Sequence, residues 1–443
     1  MSLPAFVPPN TTPNSTLAGR DNDAPSAGWP GLSCLQTIQA PICESFFEGN
    51  LPAGFTIRYH DSLMQHRWLA GTYRALVTAA VAFCVAAGAA LGAAQKGGGA
   101  ERKLLYVAEP GIRDYLEYGG HGILIFDIGA GHKFVKRIPS GGLDDKGRPL
   151  NVKGVCANAN TRRLFVTTLR TLMCFDLVSE KLLWEKPYEG GCDRLALSPD
   201  GTVIYLPSLE QDHWLVVEAR SGNVLKKIVT HSGAHNTIIG ADGKFAYLAG
   251  LKSPVLRVAD TKTHEVVRQV GPFSDMIRPF TINGEQTLSY VNVNNLLGFE
   301  IGDLKSGKVV HRIVVAGFEQ GLPKRHGCPS HGIGLTPDEK ELWLTDAVNR
   351  RIHIFDNTQM PPKQVASIAL RDEPGWITFS IDGRYAYPST GDVIEVSTRK
   401  VIAGLTDETG RAVQSEKLLE IDFASEGPVR AGNQFGLGTA TGF

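Results

Sequence analysis

Lys153, Asp193, His235, Arg278 and His331 lie 40, 42, 43 and 53 residues apart, and each stands seven residues before an Asp, or its counterpart, in a polar turn. Gly375 holds the same place in the next copy, 44 residues on. The following position adds Arg194, Asn236 and Trp376, while Glu109 and Asp346 stand at the ends of apolar runs. Ionisable groups recurring at one repeat position can converge on one point, and a concave cluster of titratable groups is a site candidate. Three chemistries fit these residue types. Lys153, Asp193, Arg194, Arg278 and Trp376, joined by Lys324 and Arg325, can enclose a carboxylate or phosphate. His235 or His331 can act as a general acid or base while an Arg stabilises an oxyanion or enolate, which describes a lyase or lactonase. His235, His326, Cys328 and His331 can ligate copper or zinc, with Asp193, Glu109 or Asp346. The metal set is the weaker alternative, because Arg278 falls between His235 and His331 in repeat order and its charge opposes a bound cation. A wet channel lining, satisfied by water and neighbouring strands, is the non-functional alternative. No GxSxG and no phosphate-binding Gly loop is present, so no motif requires a cofactor.

The elements that position these residues follow from the repeat itself. LALSPDGTVIYLPS (195–208) is echoed by TIIGADGKFAYLAG (237–250), FTINGEQTLSYVNV (280–293), IGLTPDEKELWLTD (333–346) and ITFSIDGRYAYPST (377–390). VCANANTRRLFVTT (155–168) is a weaker copy, and ERKLLYVAE (101–109) keeps the later half. Each copy reads as an apolar strand, a polar turn, an aromatic strand, an alternating strand ending in Asp or Glu, a turn such as SGNV or SGKV, and a basic-apolar strand. Period-two alternation with closely spaced turn residues predicts antiparallel β structure. Four strands per unit at this period predict propeller blades, so seven copies predict an all-β, seven-bladed β-propeller. KLLEIDF (417–423) is a spare strand that completes the first blade and closes the circle. The insertion GFEQGLPKRHGCPSHG before His331 stretches one repeat to 53 residues over the expected channel mouth, where binding residues concentrate.

The SPDG turn, and RIHIFD following ELWLTDAVN, resemble the YVTN-repeat (YncE-like) propellers over roughly Lys103 to Phe423. The sequence departs from that family at the YVTN box, which reads YLPS, YLAG, YVNV, WLTD and YPST. The resemblance implies the fold. It implies little chemistry, since the family and its relatives include exported binding proteins, surface proteins, lactonases, lyases and dehydrogenase subunits.

Composition sets the remaining bounds. The 443 residues are 42% hydrophobic and 20% charged, enough for a large core. Lys+Arg and Asp+Glu are equal at 45, which removes the electrostatic case for nucleic acid. Residues 75–94 carry no charge, and Met64, His66, Arg67 and Arg74 precede them, so 64–94 reads as a secretory signal peptide or, uncleaved, as a membrane anchor. Residues 1–63, rich in Pro, Asn, Ser and Thr, read as a disordered leader or a misassigned start. The propeller then occupies 95–443. Cys156, Cys174, Cys192 and Cys328 remain, a number that permits disulfides but is no scaffold. The expectation is an exported (periplasmic or extracellular), monomeric propeller that binds a small anionic ligand, or an acidic segment of an exported protein partner, at one mouth. The alternatives are the lyase or lactonase and a non-catalytic protein-interaction scaffold.

Overall fold

The computed structural model describes residues 101–439. The signal peptide or anchor expected at 64–94 and the leader at 1–63 lie outside the described residues. Among the described residues no helix is long and apolar enough to cross a membrane.

Among the described residues, twenty-nine strands form seven antiparallel sheets, one per repeat. The fourth sheet is representative: Ala234–Ile239, Phe245–Gly250, Leu256–Asp260 and Glu265–Val270, hydrogen-bonded in that order from the channel outward. Its second strand is almost wholly buried, whereas the outermost alternates exposed and half-buried residues. Neighbouring blades cover both faces of the inner strands, which explains their continuous apolar character; the outer strand keeps one face in water. The repeated aromatic position, Tyr106, Phe165, Tyr205, Tyr247, Tyr290, Trp343 and Tyr387, is buried in every blade. Several of these hydroxyls reach another blade: Tyr205 meets Nδ1 of His264 at 2.6 Å, and Tyr387 meets Nε2 of His132 at 3.0 Å.

The turn grammar has a local cause. The Asp that ends a third strand folds back to accept hydrogen bonds from backbone N–H groups ahead of it, as Asp260 does from Lys262 and Thr263, and Asp303 from Lys305 and Ser306. Gly307 follows at φ 73°, the left-handed conformation glycine adopts without strain, and the ladder bulges between Ile301 and Gly302.

The circle closes as the sequence predicts. Leu418–Ala424 is the innermost strand of the first blade and pairs with Arg102–Glu109, placing Leu419 opposite Tyr106. The sequence reading did not foresee what comes next. Gly427–Ala431 adds a fifth strand on the channel side of that closing strand. The chain then crosses the channel. Asn433 and Phe435 carbonyls accept from Thr378, the Gln434 side chain bridges Val155 N–H and Leu195 C=O, and Gly436 C=O accepts from Thr281 and from Leu335 N–H. These partners lie on or beside the innermost strands of the second, third, fifth, sixth and seventh blades. The channel is therefore plugged. At the turn end of the innermost strands, the tail and the turns line a cavity of about 450 Å³, bordered by Ile239, Ile282, Phe379 and Leu437, with none of the recurring ionisable residues in its wall.

Candidate functional site

Every innermost strand begins at the opposite mouth, and there the ionisable position forms a ring. The pairing register fixes its membership. Asp193 stands three residues before Ala196, which faces Tyr205; Glu416 stands three before Leu419, which faces Tyr106. Glu416 is thus the seventh ring residue, and Lys417 is the counterpart of Arg194. Sequence reasoning missed Glu416 because the innermost strand of the first blade comes at the other end of the chain. Applying the same count to KLLEIDF would have found it.

The ring sorts into two contiguous groups. In the first, Asp193 is fully buried between Lys153 Nζ, 3.3 Å from Oδ1, and His235 Nδ1, 2.6 Å from Oδ2. In the second, Glu416 takes Arg194 Nη2 at 3.0 Å and Lys417 Nζ at 2.8 Å on Oε2, and His326 Nδ1 at 3.2 Å on Oε1. The Arg194 guanidinium carbon lies 3.4 Å from the centre of the Trp376 ring, a close cation–π stack. Trp376 donates in turn to the Gln434 carbonyl at 2.6 Å, so the tail forms the floor beneath the ring.

Gly375 explains how His326 enters. A Cβ built there would lie 2.0 Å from Cε1 of His326, so the one ring position without a side chain is filled from the 53-residue repeat's insertion. That insertion is stapled across the mouth. Arg325 bonds Asp372 and the Tyr118 hydroxyl at 2.8 Å each, its N–H donates to Glu373, and its carbonyl accepts from Arg113. His331 lies beside His326, with ring centres 5.2 Å apart, and Nδ1 of His331 meets the Gly375 carbonyl at 2.8 Å.

Burial would raise the Asp193 carboxyl, but His235, Lys153 and Arg194 outweigh it and hold it below its ordinary value. Burial lowers His235 against the pull of Asp193, and lowers His331 well below its ordinary value against the pull of Glu416. Both imidazoles are neutral near pH 7. Glu416 overcomes its own burial through Lys417 and His326 and lies well below the usual carboxylate range. Burial brings Lys417 down to about 8.

The expected ligand-binding set therefore narrows. Lys153, Asp193, His235, Arg278 and His331 do line one mouth. Arg194 and Trp376 are taken up by Glu416, each other and the tail. Arg325 anchors the insertion, and Lys324 is exposed, contributing only its backbone N–H to Glu373. Arg278 differs from the other ring cations: it donates to Asn294 Oδ1 at 2.5 Å and to the Gly327 carbonyl at 3.2 Å, both neutral partners.

The metal set fares differently. His326, His331 and Glu416 place ligand-type atoms within 4.8 Å of one another. The Glu416 oxygens, however, already hold two cations and an imidazole N–H, so a metal there would have to displace Arg194 or Lys417. His235 is held by Asp193. Burial raises the Cys328 thiol to about 12, and the thiol donates to the Ser330 carbonyl, so it offers no thiolate. Glu109 is buried with one oxygen on Gly111 N–H, and Asp346 is bound to His353 and Asn349. The four cysteines of the repeat are free thiols, and Cys156 and Cys174 lie within one blade.

The fold and this mouth define a seven-bladed β-propeller with a tail-plugged channel and a polar cluster at one end. No protein-family model matches the chain, and no curated protein does. Among solved structures it is similar to a chain of Kuenenia stuttgartiensis hydrazine synthase, at 17% identity over 57% of this chain and 94% of that one, with a TM-score of 0.39. That likeness says nothing about chemistry at this mouth.

Proposed function

We propose that this chain is an exported binding propeller of YVTN-repeat type that holds a small anionic ligand, or an acidic segment of a partner, at the ring mouth. One observation carries the reading. Arg278 is half-buried at the mouth and donates to neutral acceptors, Asn294 Oδ1 and the Gly327 carbonyl, whereas Lys153, Arg194 and Lys417 each contact a buried carboxylate. A guanidinium so placed keeps its charge and part of its fork for an incoming anion. Lys153, also half-buried, is the second contact. The test is mass-spectrometric identification of the small acid that copurifies from the native host, followed by calorimetric titration. Arg278→Ala should weaken binding at least tenfold with the fold retained, and undiminished affinity in that variant would place the function on another surface.

A second reading is supported by the Asp193–His235 pair. A carboxylate fixing Nδ1–H leaves Nε2 as a base, the arrangement used to orient a catalytic imidazole. A lyase or lactonase would lose turnover in His235→Asn while retaining affinity. A pure binding protein would show no turnover to lose.

A further inference from the structure

The tautomers at the mouth constrain the ligand beyond its charge. A carboxylate and a carbonyl oxygen can only accept, so Nδ1 of His235, facing Asp193, and Nδ1 of His331, facing Gly375 C=O, must both carry hydrogen. Each neutral ring then has a lone pair at Nε2, and among the described residues no hydrogen-bond donor reaches either of them. Asn236, next to His235 on the innermost strand, is fully buried with both its amide N and O unpartnered. That amide needs a molecule that both donates and accepts. Water or a hydroxyl satisfies it, whereas a bare carboxylate or sulfate oxygen only accepts. The mouth thus combines a guanidinium held by neutral acceptors with imidazole acceptors waiting for a hydrogen.

We infer that the anion taken at this mouth carries its own hydrogen-bond donor: an oxyanion bearing an O–H, as in a singly protonated phosphate or a hydroxy acid. This rests on the anion-binding reading above and narrows it. The anionic oxygens face Arg278 and Lys153, and the O–H faces Nε2 of His235 or His331. An anion without a hydrogen would set its lone pairs against those of the imidazoles. Burial, which keeps both rings neutral, opposes the protonation that could relieve the conflict. Leaving such groups unpaired costs about 1–3 kcal/mol, a discrimination of roughly five- to 150-fold.

Calorimetric titration of the full chain with two matched pairs, inorganic phosphate against sulfate and glycerate against propanoate, tests this at neutral pH. The expected result is that one donor-bearing member binds at least about fivefold tighter than its partner; the pair that discriminates identifies the source, phosphate or hydroxy acid. In the double variant His235→Asn, His331→Asn the shorter amide can still donate toward Asp193 and Gly375 while Nε2 is gone. Discrimination should collapse there with sulfate or propanoate affinity unchanged, and circular dichroism checks the fold. Equal binding within both pairs, or sulfate binding as tightly with proton uptake, overturns the inference and leaves anion binding standing. Failure of all four probes to bind at millimolar concentration overturns both.

Discussion

Arg194 of the third blade and Glu416, just before the closing strand, are 222 residues apart in sequence and meet at 3.0 Å in the ring cluster, both almost fully buried. The pair ties the middle of the chain to the strand that shuts the circle. A buried ion pair is a weak source of net stability, but removing one partner strands the other charge in a low dielectric. Glu416→Gln should therefore cost about 3–5 kcal/mol by denaturant unfolding. Arg194→Met combined with Glu416→Gln should recover part of that loss, and strict additivity in this double-mutant cycle would mean that the two do not interact.

Acid should weaken the fold through the mouth imidazoles. His331 and His235 have folded values depressed by burial, so the unfolded chain binds protons that the folded one refuses. Their contribution is complete above the ordinary value of 6.5 and is lost as pH falls below it, at up to about 1.4 kcal/mol per pH unit for each group. Melting temperature measured from pH 7.5 to 5 should fall more steeply in the native protein than in His331→Asn. Parallel curves would contradict the neutral assignment.

Base should act through a different group. Burial, and then Asp422 beside it, raise Glu420 to about 8. The folded chain keeps this proton after the unfolded chain has released it, so stability declines as pH rises above the ordinary carboxyl value and levels off near 8. Glu420→Gln should match the native melting temperature at acid pH and exceed it by several degrees at pH 8.5. A variant less stable at every pH would show that the carboxyl is ionised and structurally required.

Deleting residues 433–443 should open the channel without dismantling the blades, because Gly427–Ala431 and the closing strand remain. Trp376 would lose its Gln434 partner and its apolar neighbour Phe435. Tryptophan emission should shift to longer wavelength and melting temperature should drop, with β-sheet circular dichroism retained. Loss of that signal would make the tail part of the fold rather than a plug.

Much of this was legible in the sequence. The blade count, the strand order and the closing role of KLLEIDF follow from alternation and turn chemistry, which act locally. The convergence of Lys153, Asp193, His235 and His331 follows from sharing one repeat position. What the repeat does not encode was invisible. Asp193 pairs with Lys153 and Glu416 with Arg194, each a pairing between blades that spacing along one chain does not reveal. His326 reaches the ring because Gly375 leaves room, and the insertion's path depends on Arg325 finding Asp372 and Tyr118. The tail carries no repeat signature, since most of its hydrogen bonds are made by backbone groups, with Gln434, Asn433 and Thr439 adding side-chain ones.

Ring closure also sets a schedule. Ser415 and Ala108, bonded at the latch of the first blade, are 307 residues apart. On the ribosome the strand Arg102–Glu109 emerges among the first of the propeller, yet its inner edge finds its partner only after the other six blades have been synthesised. Loop-closure entropy grows only logarithmically with length, so the equilibrium penalty is modest, but long-range pairing is slow. Throughout that interval the nascent protein is an open arc with an unpaired sheet edge, the feature most prone to joining another chain. The first strand made is among the last to be sealed.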